Sequence, residues 1–502
     1  MARRGTWAAV TLATLLVGQA GTAQAEGEAD TPLSMRETEA FHQRLATALD
    51  LGFYMAIGTV WYLLDDVNVR DRQYDWSFTT LKKKFLTREA FRFDDNTFGV
   101  NAPGHAIAGS LYFLSARTHG ASTLEASATA LLGSTAWELA VEYREVLSLN
   151  DVITTSVGGV ALGETFFQVG EFFRRSKPTL VNRVLGVFLM GPSPLLPWDH
   201  RPPSAQHTLD SGGYPEDMWR RIHIGGGAEL SRAAARAPWR SSALVDAHAR
   251  TVDLAEYGHP GTSDPRWIGR ALLADLHVRA AASPSGFDGL WLSAEALWSG
   301  MYGKTLRDQG GGPRGIEWLA GLSAIYDYHQ MSPDHGRDRL EAVSPIGAFG
   351  HAAVHLGAPQ LRFDASVYPV FAAVHSHAWQ EIATDAREAA PDSLERDGYY
   401  FSMGTRAAGA IALEWGGWRV GASARGYALS SAEWMEVPAH ASRMLLSDRR
   451  LSWEASLARN LMFAGMFAEV AVRNDAWWSR AENFSSVGAA PPSVVLQILH
   501  EL

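Results

Sequence analysis

The 502-residue chain contains no cysteine. That excludes disulfides, thiolate metal ligands and a cysteine nucleophile. Positive charge is also scarce: 44 Lys+Arg against 54 Asp+Glu give a net charge of −10. A nucleic-acid-binding protein needs the opposite sign. The 17 histidines add positive charge only at acidic pH. No H-E-x-x-H, G-x-S-x-G or phosphate-loop motif occurs, and the Gly-rich stretches at 225–230 and 310–315 read as strand or loop glycines. The apolar run from Leu49 to Leu64 covers only 16 residues before Asp65 and Asp66. This is short for a membrane-spanning helix and suits a buried or interfacial one.

What is present begins with a leader pattern. Arg3 and Arg4 precede an apolar run from Trp7 to Val17, and Ala23-Gln24-Ala25 follows. This order predicts a secretory signal over residues 1–25, cleaved after Ala25. Loss of its two arginines would move the net charge from −10 to −12.

The remaining chain has two periods. Residues 26–190 read as helices, among them "HAIAGSLYFLSARTHG", "ASTLEASATALLGSTAWELAVEYREV" and "NDVITTSVGGVALGETFFQVGEFFRR". A Pro-rich linker occupies 191–220. From 221 to 502 the period is two. Val420, Ala422 and Ala424 oppose Arg419, Ser423 and Arg425, and Met466, Ala468, Val470 and Val472 oppose Glu469 and Arg473. A polar face of mixed charge opposite a small, aromatic apolar face predicts a membrane barrel with a polar lumen. About twelve such segments are present. Long connections at 329–344, 376–398, 431–447 and 475–492 alternate with tight ones such as Gly416-Gly417 and Ala358-Pro359. Two connections, near 255–270 and 301–314, break the alternation.

The predicted fold class is therefore α+β: an N-terminal helical domain followed by a C-terminal antiparallel transmembrane β-barrel in the outer membrane. The helical domain is expected in the periplasm, capping or plugging the barrel mouth. Expected partners are outer-membrane lipid and a small-molecule or lipid substrate.

The helical half carries the candidate chemistry. His105 opens one helix after Pro103-Gly104. Glu138 and Glu142 lie one turn apart on the next, on a shared face flanked by Trp137, Leu139, Ala140 and Val141. Asp151 opens a third, whose Gly158, Gly159 and Gly163 permit close helix approach before Glu164. Two carboxylates on a crowded apolar face repel unless a cation, a proton or an arginine lies between them. Three readings follow: a structural network with Arg117 or Arg144, a divalent-metal site on His105, Glu138 and Glu142, or acid/base catalysis by His105, Glu138, Glu142 and Asp151. Asp151 or Asn150 is also a natural helix N-cap. In the barrel half, the His-Ser pair of "HSHAW" (375–379) has residue types of a hydrolase but no partner acid in register.

The pattern from Asn101 to Glu164, N-x3-H-x3-G-S-L-Y-x3-A-R, then G-S-x2-W-E-x3-E, then S-x-N-D-x-I-T-T-x2-G-G-x-A-L-G-E, resembles the DUF3943 family of bacterial envelope proteins. The resemblance spans residues ~65–175. It implies an envelope location and no established biochemical function. Ala106 departs from the family's usual proline after the histidine. A fainter His, Glu, Asp, Gly order over three helices is similar to VanZ-like and YfiM-like envelope domains.

Overall fold

A computed structural model describes residues 33–64, 78–79, 82, 91–93, 96–142, 147–199, 208–232, 238–308, 310, 312–331, 338–380, 398–435, 446–462, 465–481, 484–489 and 492–502. The predicted leader and Arg144 lie outside the described residues.

The helical half contains α1 (Leu33–Leu64), α2 (His105–Arg117), α3 (Thr123–Ala136), α4 (Gly159–Arg175) and α5 (Leu180–Met190). Their association rests on small residues. A Cβ added to Gly109 of α2 would meet Thr155 O at 1.7 Å, and one on Gly159 of α4 would meet the Gly109 carbonyl carbon at 2.4 Å. Gly163 accommodates the Phe113 ring in the same way. Any side chain here would separate α2 from α4.

Twelve antiparallel strands close into a ring. They are β1 (Trp219–Ser231), β2 (Arg240–Val252), β3 (Leu273–Ser283), β4 (Gly286–Asp308), β5 (Pro313–Met331), β6 (Asp338–Leu356), β7 (Gln360–His375), β8 (Tyr399–Trp415), β9 (Trp418–Ser431), β10 (Leu446–Asn460), β11 (Met466–Ala481) and β12 (Ser493–Glu501). Closure is direct: Val494 to Glu501 pair with Leu230 to His223. Gly416 and Gly417 join β8 to β9 at φ +58° and +79°, the left-handed pair that a two-residue hairpin requires. The two exceptions in loop alternation have structural causes. β4 runs through 301–308, so the turn there is tight, and the 255–270 connection carries an accessory strand, Gly261–Ile268, along β4. A second accessory strand, Phe484–Ala489, lines β11.

Ion pairs identify the inner face. Arg250 on β2 reaches Asp275 on β3 (2.5 Å) and Asp364 on β7 (3.0 Å). Arg279 on β3 reaches Asp246 (2.6 Å) and Glu454 on β10 (2.9 Å), and Arg221 on β1 reaches Glu414 on β8 (3.0 Å). Partners so far apart around the ring can meet only across the lumen. The lumen is thus spanned by charge pairs at several levels. The alternate residues, among them Ile224, Val245, Val367, Ile411, Val420, Leu457, Val470 and Leu496, form an exposed apolar outer band.

The helices dock on that outer surface. Residues adjacent in sequence to lumen-facing groups (Ile222, Ala249, Leu276, Ala294, Tyr326, Val343, Phe371 and Phe401) share one core with Phe98, Ala106, Ala161, Leu162, Val169 and Phe172. Phe93 lies 4.9 Å from the Phe401 ring and Phe98 lies 5.3 Å from Tyr399, while Asn101 Nδ2 donates to Tyr399 Oη at 2.9 Å. α4 begins beside Tyr326 and Val343 and ends where Arg175 pairs with Asp217 before β1. It therefore runs down the wall beside the strands. This packing lends no support to the expectation of a domain capping or plugging the periplasmic mouth. α4 covers the outside of β2–β6, whose outer residues supply the apolar surface it buries, and Phe93, Phe98 and Asn101 reach β7 and β8.

Candidate carboxylate–histidine site

Three widened helical turns build the site. The chain forms a π-helical turn at Val100–Gly104, with Pro103 inside it, and then enters α2 at His105. α3 starts from a capping box of Ser122 and Glu125 and ends at Ala136. A second π turn, Trp137–Val141, follows and closes on Glu142 at φ −93°, ψ 33°. The third, Thr154–Gly158, separates the short helix Leu149–Ile153 from α4. Such bulges concentrate at functional sites because they redirect side chains without ending a helix. Glu138 and Glu142 are therefore not one turn apart on a regular helix, as the sequence spacing suggested. The widened turn and its exit bring their carboxylates together instead.

His105 Nε2 lies 3.1 Å from Asp151 Oδ1, and Thr155 Oγ1 lies 3.2 Å from Nδ1. Asp151 Oδ1 accepts from Asn150 Nδ2 at 2.7 Å, and Asn150 Oδ1 accepts from Ser148 Oγ at 2.8 Å. The Ser148 backbone N–H donates to Glu138 Oε2 at 3.2 Å. Carboxylate oxygens of Glu138, Glu142 and Asp151 all lie within 4.8 Å of one another, and the three residues are 1%, 9% and 3% exposed. Burial pushes the His105 imidazole down to about 4, so it is uncharged at neutral pH. Burial, and after it the Glu142 carboxylate, raises the Tyr112 phenol.

Two sequence expectations change. Neither Asn150 nor Asp151 caps the third helix. Ser148 does, accepting from Asp151 N, which leaves the Asp151 carboxylate for the cluster. Arg117 does not neutralise the Glu138–Glu142 pair. It holds Glu164 at 3.0 Å, with Gln168 and Thr123 on the same carboxylate, at the far end of α2, about 18 Å along the helix from His105. Ser148 and Thr155 were missed, since a lone hydroxyl near a helix start reads as a cap or a loop residue. In "HSHAW", Asp338 lies 3.3 Å from His377 and is also held by Arg450, whereas Ser376 Oγ contacts Ser479 Oγ at 3.1 Å. The residue types of a hydrolase are present there without a Ser–His contact among the described bonds.

A closed barrel of even strand number, apolar outside and charged within, is the architecture of bacterial outer-membrane proteins. This chain is an outer-membrane-type barrel with a helical domain built on its outer wall. Residues 90–193 match the family model described as "Domain of unknown function (DUF3943)". No curated protein matches the sequence. Among solved structures, the chain is similar to the Acinetobacter baumannii outer membrane protein Omp33, at 11% identity over 56% of this chain and 98% of that one, with a TM-score of 0.19. It is also similar to the Vibrio cholerae outer membrane protein OmpT (5% identity, 59% and 100% coverage, TM-score 0.20). A third is the A. baumannii outer membrane channel DcaP (8% identity, 59% and 100% coverage, TM-score 0.17). With scores this low, the barrel's own topology defines the fold.

Proposed function

We propose that the barrel serves as a sealed support and that the helical domain carries a divalent-cation centre acting on an envelope lipid. The observation that carries this reading is the convergence of three buried carboxylates within 4.8 Å beside a neutral imidazole. Two unit charges at that separation repel by about 3 kcal/mol at an effective dielectric of about 20, a repulsion that a divalent ion bound among the carboxylates would offset. Hard carboxylate oxygens suit magnesium, manganese or calcium, with His105 beside them rather than among the ligands. Such an ion would polarise a phosphate or carbonyl oxygen and lower the pKa of a bound water, and His105 would orient or accept the proton. A lipid substrate is favoured because the domain lies on the wall that faces lipid elsewhere around the ring.

A transport role for a small or lipidic molecule is the second reading. With ion pairs crossing the lumen, its path would follow the outer wall beside the helices. Elemental analysis of detergent-purified protein, with Glu138→Gln/Glu142→Gln alongside, separates the readings. A bound divalent ion that disappears in the variant, with altered lipid composition in cells carrying it, supports the cation centre. A wild-type protein free of divalent ions and indifferent to chelator would remove it.

A further inference from the structure

The sequence made α1 look too short to cross a membrane. Its three-dimensional setting reverses that judgement. Asp50, the charge that interrupts the apolar run, is fully buried. It accepts from Trp198 Nε1 at 2.7 Å and lies 3.0 Å from His119 Nε2. With that charge turned inward, the outer face of α1 is apolar from Leu45 to Leu64. Those residues span about 30 Å, the thickness of a bilayer's hydrocarbon core. Thr47 and Thr59 return their hydroxyls to Gln43 O and Met55 O, as polar groups in hydrocarbon must.

The exposed side chains on that face are Leu45, Leu49, Ile57, Val60, Trp61 and Leu63. A core helix would bury most of its apolar length, whereas 17% of the most apolar window of this one is buried. α3 and α5 continue the surface with Leu131, Leu132, Val184 and Phe188, all exposed. α4 stands against β2–β6, and α1, α3 and α5 pack outside it, on α2 or on α4 itself, so their exposed residues face away from the barrel wall.

We infer that the helical domain is itself embedded in the outer-membrane bilayer, with α1, α3 and α5 facing acyl chains, so that lipid surrounds barrel and helices as one apolar perimeter. The occupant is lipid because the surface continues the barrel's own lipid-facing band and because the one charge within it is sequestered. This inference stands apart from any chemistry at the carboxylate cluster, and its test does not involve metal.

The absence of cysteine makes the test direct. Single-cysteine variants Leu49→Cys, Ile57→Cys, Leu131→Cys and Val184→Cys would be nitroxide-labelled in the full chain and reconstituted in phospholipid vesicles. Val470→Cys is the lipid-facing control and Thr262→Cys the aqueous one. Collision with oxygen and loss of collision with a water-soluble nickel chelate, matching Val470→Cys, are expected at all four positions. Nickel access equal to that at Thr262→Cys would overturn the inference in favour of an aqueous domain. Protection from both reagents would overturn it in favour of a protein partner or second copy on this face.

Discussion

Gly109 and Gly159 meet backbone to backbone, so close that a Cβ on Gly159 would lie 2.4 Å from the Gly109 carbonyl carbon. This contact sets the distance between α2, which starts at His105, and the Thr154–Gly158 turn, which follows Asp151. Gly159→Ala should therefore destabilise the helical domain by about 1–3 kcal/mol through overpacking. Limited proteolysis should report the loss, while heat-modifiable migration of the barrel stays normal. An unchanged proteolysis midpoint would show that α2 and α4 can separate freely.

The Arg117–Glu164 pair should behave as a buried lock. Glu164 is fully buried, and Arg117 Nε holds it at 3.0 Å. Arg117→Met leaves that carboxylate without its cation and should cost about 3–5 kcal/mol, whereas Arg117→Met/Glu164→Gln should recover much of the loss. Thermal melts of the two variants against wild type check the order. Equal losses would mean the charge itself matters little.

Lumen ion pairs predict low conductance. Arg250 and Arg279 each tie neighbouring strands to the opposite wall, at Asp364 and Glu454. Arg250→Ala/Arg279→Ala should raise single-channel current in a planar bilayer well above the wild-type trace. A wild-type barrel conducting as an open pore would contradict the sealed-support reading.

The His105 environment predicts acid sensitivity of the metal-free protein. Its pKa falls from 6.5 to about 4 on burial, so the unfolded chain binds the proton more readily. Stability conferred by the neutral imidazole is complete above about pH 6.5, declines as pH falls through that window, and levels off below about 4. Tryptophan-monitored melts of chelator-treated protein should show this slope, and His105→Gln should flatten it. A slope of the opposite sign would mean that Asp151 holds His105 protonated.

The sequence alone determined the elements that follow from local periodicity. Alternation of Val420 and Val470 with Arg419 and Glu469 marks strands with one apolar face, and a closed ring is the only way such strands avoid bare edges in a membrane. The glycines of α4 and the order of His105, Glu138, Glu142 and Asp151 were also legible, because close packing and chemistry each demand particular residue types. Other features depended on contacts between distant residues. Widened turns that bring Glu138 and Glu142 together, the choice of Ser148 as cap, and the pairing of Arg117 with Glu164 have no signature in spacing. The seating of the helices on the outer wall rests on which surface α4 buries, and the character of α1 rests on Asp50 finding His119 and Trp198. Sequence periodicity fixes which face of an element is apolar. Only tertiary packing decides whether protein, lumen or lipid covers it, since burial free energy depends on apolar area removed from water and not on what removes it.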